Sequence, residues 1–172
     1  MRITAAYLLV KTEIYLNLPV SGTEDSVKRD IAGSNKDFSF YLPPDNPGSQ
    51  TLIVTESPID ALAHASIHKI GQTGFDGYRL SLGGVSSKAL IGFLERHHNI
   101  TNIQLCLDAD KSGKTATDRI IQELLNDKRF SHIKITVASP PAGKDYADTL
   151  LAIQKQYIEK LRLGHAKAVD IT

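Results

Sequence analysis

The sequence has one cysteine and no tryptophan among its 172 residues. A single cysteine excludes an internal disulfide and a cysteine-based zinc site, and Cys106 lies within an apolar run, where we expect a buried core side chain. No apolar run approaches the roughly 20 residues that cross a bilayer. Lys11 and Glu13 interrupt the short apolar run near the N-terminus, so we expect no signal peptide. These absences predict a soluble, cytoplasmic protein that contacts no membrane.

The sequence also has little excess charge of either sign. Its formal net charge is +1, whereas proteins that coat nucleic acid electrostatically are strongly basic. Binding to nucleic acid would therefore need local basic groups, or metal ions that offset the protein's own carboxylates. Hydrophobic residues make up 41% and charged residues 23% of the chain, which is the usual composition of a globular protein with a core.

A dense cluster of turn residues at Pro43–Gly48 divides the chain in two. Residues 1–48 predict a small β-rich lead-in, and residues 49–172 predict an α/β domain. The β-forming stretches of the lead-in are residues 3–10, 13–16 and 38–42, and the polar segment 21–37 is expected to be a loop.

The second part alternates short apolar runs with helical patterns. The predicted strands are residues 51–55, 78–82, 103–107 and 133–138. The predicted helices are residues 58–69, 86–97, 115–127 and 146–163, with Pro58 in a first turn and Ser86 or Ser87 as an N-cap. Runs that are apolar throughout suit strands buried on both faces. The pattern predicts a mainly parallel four-stranded sheet flanked by helices.

Three acidic residues follow predicted strands. Glu56 comes directly after the first strand, and Asp108 and Asp110 come after the third. Ligands of open parallel sheets bind outside the carboxyl ends of the strands. Two carboxylates about 4 Å apart would repel by roughly 4 kcal/mol at an effective dielectric near 20. A divalent cation would relieve that repulsion, and oxygen ligands favour Mg²⁺ (or Mn²⁺). The structural alternative is that each Asp is an ordinary turn or N-cap residue.

Two segments resemble the motifs of the TOPRIM family. Residues 51–66, TLIVTESPIDALAHAS, resemble its first motif, and residues 105–120, LCLDADKSGKTATDRI, resemble its second. The segment GKDYADTL, residues 143–150, resembles a third acidic segment found in the bacterial primase-like domains of plasmid, phage and mobile-element proteins. The resemblance covers roughly residues 50 to 155, in the same order, and it implies a TOPRIM-like fold.

The resemblance also implies Mg²⁺-dependent chemistry on nucleic-acid phosphodiesters. Glu56 would be a general acid/base or a metal ligand, and Asp108 and Asp110 would bind the metal. Asp60 and Asp145 would be supporting metal ligands, either directly or through water.

Several basic residues are candidates for contact with phosphates. They are Arg29, Lys88, Lys111, Lys114 and Lys144. The last three adjoin the acidic residues in sequence, so they could bind substrate or simply balance the carboxylates. Single-stranded DNA is the expected partner, and a helicase or another replication protein is a further one.

Three functions remain open from the sequence. The first, which we favour, is primase-like nucleotidyl transfer in the replication of a mobile element. The second is a metal-dependent TOPRIM nuclease. The third is a non-catalytic module that binds nucleic acid or a partner protein. A topoisomerase is disfavoured, because no strand-passage domain is evident, and the chain could be a fragment or a subunit of a larger protein.

Overall fold

A computed structural model describes residues 19–21, 28–30 and 37–169. The strands are β1 (Pro19–Ser21), β2 (Lys28–Asp30), β3 (Tyr41–Leu42), β4 (Thr51–Thr55), β5 (Tyr78–Ser81), β6 (Asn102–Leu105) and β7 (Lys134–Val137). The helices are α1 (Pro58–Ile70), α2 (Lys88–Arg96), α3 (Lys111–Asn126) and α4 (Tyr146–Val169), with a 3₁₀ turn at Lys128–Phe130.

The main sheet has five strands in the order β3-β5-β4-β6-β7. β4 is parallel to β5 and β6, and β6 is parallel to β7. The predicted α/β class with a mainly parallel sheet is confirmed. The predicted number of strands was one too low, because β3 is an additional outermost strand that pairs antiparallel with β5. A further hydrogen bond joins these two segments, from the Ser81 N–H to the Phe40 carbonyl at 2.9 Å.

The described part of the lead-in contains a second, two-stranded sheet. β1 pairs antiparallel with β2, with Val20 opposite Arg29. The expectation of a continuous loop over residues 21–37 was therefore wrong at β2, because backbone pairing needs no apolar side chains. The β-forming stretches at residues 3–10 and 13–16 lie outside the described residues.

The boundary at residue 48 stays a prediction, although the chain on either side of it is joined by hydrogen bonds. The backbone N–H groups of Asp45 and Asn46 donate to the carboxylate of Asp76, at 2.8 and 3.1 Å. The last strand of the lead-in, β3, is also a strand of the main sheet. The end of the lead-in is thus part of the same sheet as the segments that follow it.

Helices cover both faces of the main sheet. Leu52 and Val54 of β4 are fully buried on one face, in a cluster that includes side chains from α2 and α3. Ile53, between them in sequence, is buried on the other face with side chains from α1 and α4. This alternation is what a strand with two buried faces requires. Cys106 belongs to the second cluster and is 1% exposed, as its apolar surroundings in the sequence predicted.

Two helix starts differ from the predicted ones. α3 begins at Lys111, four residues earlier than expected, because the Asp110 carboxylate accepts a hydrogen bond from the Gly113 N–H at 2.9 Å and caps the helix. α2 begins at Lys88, and Ser87 occupies the N-cap position without a capping side-chain bond. Within the part of the chain that is described, no helix combines the length and the apolar character needed to span a membrane.

A buried cationic and aromatic cluster joins α1 to β5. His64 is 2% exposed and its Nδ1 accepts a hydrogen bond from Nε of Arg79 at 3.2 Å. The Arg79 guanidinium in turn lies over the Phe75 ring, 4.7 Å from its centroid. Burial, together with the positive charges of His68 and Arg79, lowers the pKa of His64 to about 3. His64 is therefore neutral in the folded protein at any pH near neutrality.

We expect His64 to make the free energy of unfolding fall as the pH is lowered from about 6.5 toward 3. In that range the unfolded chain binds a proton at residue 64 that the folded chain excludes, so acid favours unfolding. His64→Gln keeps a hydrogen-bond acceptor but cannot titrate. Urea denaturation across this range should show a shallower pH dependence for His64→Gln than for the wild type, and parallel curves would contradict the assignment.

Candidate functional site

The parallel pairing of β4 with β6 brings Glu56 and Asp108 to the same edge of the sheet, which is formed by the carboxyl ends of the parallel strands. Val54 and Leu105 are opposite each other in the two strands, and the Cys106 N–H continues the ladder to the Val54 carbonyl at 2.8 Å. Beyond that bond, Oε1 of Glu56 accepts a hydrogen bond from the backbone N–H of Asp108 at 3.2 Å. The first acidic residue therefore contacts the main chain of the second.

The two carboxylate oxygens of Asp110 make different contacts, one structural and one with a charged group. Its Oδ1 caps α3 by accepting from the Gly113 N–H, and its Oδ2 lies 3.3 Å from Nζ of Lys144. The capping role that an Asp after a strand ordinarily has is thus present, but it engages only one oxygen. The second oxygen faces a cation.

Gly113 allows the start of α3 to approach the acidic residues. A Cβ atom at this position would lie 2.7 Å from Oε1 of Glu56 and would overlap the backbone carbonyl oxygen of Asp108. The backbone oxygen cannot move aside as a flexible side chain could. A glycine is therefore required where α3 passes the ends of β4 and β6.

Lys144 places a positive charge between two of the carboxylates. Its Nζ is 3.1 Å from Oδ2 of Asp108 and 3.3 Å from Oδ2 of Asp110. The backbone reinforces this approach, because the Ala109 N–H donates to the Lys144 carbonyl at 2.8 Å. The two carboxylates raise the pKa of Lys144, so the ammonium group stays charged. Lys144, one of the predicted phosphate contacts, therefore balances the negative charge of the acidic residues in this structure.

The carboxyl groups differ in their pKa values because their surroundings differ. Burial first, and then the charge of Asp108, raise the pKa of Glu56 from 4.5 to about 6. Burial also raises the pKa of Asp108, whose side chain is 13% exposed. The pKa of Asp110 is lowered, mainly by the N–H of Gly113. A pKa of about 6 means that Glu56 exchanges a proton near neutral pH.

Asp60 is buried near Asp108 and accepts hydrogen bonds from protein donors. It is 5% exposed, and its Oδ2 accepts a hydrogen bond from Oγ of Ser57 at 2.6 Å. Its Oδ1 accepts from the Ala147 N–H at 3.3 Å, which ties α1 to the first turn of α4. Its role as a supporting metal ligand stays a prediction.

Asp145 lies at the start of α4. Its Oδ1 accepts a hydrogen bond from the Asp148 N–H at 2.8 Å, and its backbone carbonyl accepts from the Thr149 N–H at 3.2 Å. The residue next to it, Lys144, is the one that reaches the other carboxylates. Asp145 is thus close to the cluster, and its contribution as a metal ligand also stays a prediction.

The predicted phosphate-binding residues fall in different places. Lys88, Lys111 and Lys114 are exposed at the starts of α2 and α3. Arg29 lies in β2, outside the main sheet. Role assignments for these residues stay predictions.

A groove of about 460 Å³ lies along the first half of α3, the helix that Asp110 caps. It is lined by Val85, Lys111, Ser112, Thr115, Ala116 and Arg119. Arg119, which also donates a hydrogen bond to the Val85 carbonyl, was missed in the sequence. The signal that could have revealed it is spacing, since it follows Lys111 by eight residues and Thr115 by four on one face of a helix.

The donor atoms at this edge of the sheet suit a hard divalent cation. The oxygens of Asp108 and Asp110 already converge on one positive charge, the ammonium of Lys144. Mg²⁺ is usually bound through only one or two carboxylates, with waters and substrate phosphates completing its shell. Among the described residues, no three His, Cys, Asp or Glu side chains are arranged to hold an ion together. Asp108 and Asp110 would supply the two carboxylates that such an ion needs.

Comparisons with known proteins give one family match. The profile of a family described as Toprim-like matches residues 53–150. No curated protein matches the sequence.

Two solved structures from bacteriophage T7 are similar to this chain. One is the primase fragment of a primase-helicase protein, with 24% identity and a TM-score of 0.46 over 67% of this chain and 44% of that one. The other is a lagging-strand DNA polymerase interacting with primase domains bound to an RNA/DNA hybrid and dTTP. It has 18% identity and a TM-score of 0.48 over 79% of this chain and 65% of that one. This chain thus spans less than two thirds of either matched chain.

We expect Asp108→Asn to lower the pKa of Glu56 more than Asp110→Asn does, because the charge of Asp108 has the larger influence on it. Asp108→Asn retains the backbone N–H that donates to Glu56, so the change isolates the charge. A pH titration of the Glu56 carboxyl carbon by NMR, in metal-free buffer, measures the shift. A wild-type Glu56 that titrates at its ordinary value, or one indifferent to Asp108→Asn, would disprove the electrostatic coupling.

Proposed function

The chain belongs to the Toprim-like family, and on that premise we propose that it uses Mg²⁺ (or Mn²⁺) to act on nucleic-acid phosphodiesters. The observation that carries this proposal is the convergence of Asp108 and Asp110 on the ammonium of Lys144, at 3.1 and 3.3 Å. Two carboxylates that already hold one cation form a ready position for another. Such an ion, when bound, would polarise a phosphoryl oxygen and offset charge that develops there.

The chain's own carboxylates would then have separate roles. Asp108 and Asp110 would hold the cation, and Glu56 would move a proton as general acid/base. The pKa of Glu56, about 6, lies close enough to neutral pH for both protonation states to be populated. Asp60 and Asp145 would support the cation, directly or through water. Both carboxylate oxygens of Asp60 accept hydrogen bonds, from Ser57 and Ala147, and Oδ1 of Asp145 accepts one from Asp148.

The groove along α3 is the proposed path of the nucleic-acid backbone. Lys111 and Arg119 lie in its wall, and Lys88 and Lys114 are exposed at the starts of the two flanking helices. Cations spaced along a groove contact successive phosphates without reading bases. Arg29 would add a contact from the lead-in. The proposed ligand is single-stranded DNA, and the proposed wider partners are a helicase or another replication protein.

We favour nucleotidyl transfer over cleavage as the reaction. The segment Asp108–Ala116, DADKSGKTA, resembles the primase version of its motif. The same cation and Glu56 would also serve a nuclease, which makes cleavage the second candidate. A module without catalysis is the least favoured, because a scaffold gains nothing from carboxylates whose mutual repulsion must be offset.

The proposed cation site predicts that Mg²⁺ or Mn²⁺ raises the melting temperature, since an ion that binds only the folded state stabilises it. Replacing Asp108 and Asp110 together by Asn should abolish the shift. Asp118→Asn removes an exposed carboxylate elsewhere on α3 and should retain it. Equal shifts in the wild type and the double variant would rule out this site.

The proposed reaction predicts that the protein makes labelled products longer than background when it is incubated with single-stranded DNA, labelled nucleotides and Mn²⁺. Glu56→Gln should reduce the product by at least about tenfold, as expected for loss of a proton-transfer group, and Asp118→Asn should leave it unchanged. Shortened template in place of extended product would support the nuclease. Retained DNA binding with neither product would contradict both catalytic functions.

A further inference from the structure

Lys144 makes contacts that a simple phosphate-binding lysine does not need. We propose that its ammonium is a built-in counter-ion, which occupies the cation position between Asp108 and Asp110 in the metal-free protein and moves onto a substrate phosphate when a divalent cation takes that position. This inference rests on the proposed metal site and adds an exchange between two cations to it.

The backbone of Lys144 is held by hydrogen bonds, whereas half of its side chain is exposed to solvent. The Lys144 carbonyl accepts from the Ala109 N–H at 2.8 Å, and its own N–H donates to Oδ2 of Asp148 at 2.9 Å. Gly143, the preceding residue, has a φ of 77°, a conformation that favours glycine. The side chain of Lys144, by contrast, is 52% exposed. An ammonium on a flexible four-carbon stem can therefore change position without disturbing the loop.

The two cations cannot share the position. Nζ of Lys144 lies close to the Oδ2 atoms of both aspartates, and Mg²⁺ binds carboxylate oxygens at about 2.0–2.1 Å. Two positive groups on the same pair of oxygens would repel each other at short range. Binding of the divalent cation is therefore a displacement, and the affinity measured for it is reduced by the strength of the lysine contacts.

The displaced ammonium remains at the same edge of the sheet. Ala109, which holds the Lys144 backbone, lies between the two aspartates in sequence, so the freed Nζ stays within a side-chain length of a phosphate bound there. A phosphate oxygen would then replace the carboxylate oxygens as its partner. The structure thus assigns Lys144 opposite effects on the two ligands: it weakens binding of the metal and strengthens binding of the phosphate.

Calorimetric titration of Mn²⁺ into the nucleic-acid-free protein tests the first effect. Lys144→Met removes the charge and keeps an apolar side chain of similar length. We expect its Kd for Mn²⁺ to be about two- to tenfold lower than that of the wild type, the range that loss of two exposed charge pairs allows. Lys155→Met, which changes an exposed lysine on α4, should leave the Kd unchanged.

Binding of an oligothymidylate in saturating Mn²⁺ tests the second effect. Lys144→Met should weaken it by severalfold, and Lys144→Arg should largely restore it. Mn²⁺ binding that Lys144→Met leaves unchanged or weakens would overturn this inference alone, as would unchanged oligothymidylate binding. Failure of both the wild type and Lys144→Met to bind Mn²⁺ would overturn the proposed function and this inference with it.

Discussion

The parallel pairing of β4 with β6 is the constraint on which the site depends. It brings Glu56 and Asp108 to one edge of the sheet. There the two negative charges repel each other, and burial reduces their solvation by water. Three local features reduce the repulsion between the two carboxyl groups. The N–H of Asp108 donates to Glu56, Glu56 holds its proton more tightly than a free carboxyl group does, and Lys144 supplies a positive charge.

Several acidic residues combine a structural role with a proposed chemical one. Asp110 caps α3 with one oxygen and faces Lys144 with the other. Asp60 joins α1 to α4 from a buried position, although the family resemblance implies a metal ligand there. A substitution of Asp60 would therefore disturb the packing of two helices along with any ion. Asp108 has the simpler position, since its carboxylate contacts Lys144 and its structural contact to Glu56 uses the main chain.

The sequence predicted the parts of the fold that have strong local signals. The strand at residues 51–55 was predicted with its observed bounds, because an apolar run followed by Glu-Ser-Pro leaves little choice of register. Weak local signals led to the errors. β2 is polar, and β3 has only two residues and depends on pairing with β5. The start of α3 was placed too late, because the first turn, Lys111–Lys114, is polar and its start depends on the cap that Asp110 provides.

The candidate site was predictable in composition but not in its contacts. Acidic residues at strand ends identified Glu56, Asp108 and Asp110, whose closeness follows from sheet topology. The position of the Lys144 ammonium depends on how the loop before α4 folds back to Ala109, a contact between residues 35 apart in sequence. The raised pKa of Glu56 depends on burial by neighbouring elements, which no local pattern reports. Arg119 was identified from the groove that it lines, although its spacing from Lys111 and Thr115 was visible in the sequence.

The main-chain bonds around the carboxylates have a consequence for redesign. The Ala109 N–H holds the Lys144 carbonyl, and the N–H groups of Leu82 and Gly84 hold the carbonyls of Thr55 and Glu56, at 2.8 to 2.9 Å. None of these three bonds uses the side chain of a proposed metal ligand, so exchanging the side chain of Asp108 or Glu56 removes none of their donors or acceptors. Histidine or cysteine could be introduced there to recruit softer metals. The main-chain frame at this edge of the sheet would in that sense accept different sets of metal ligands.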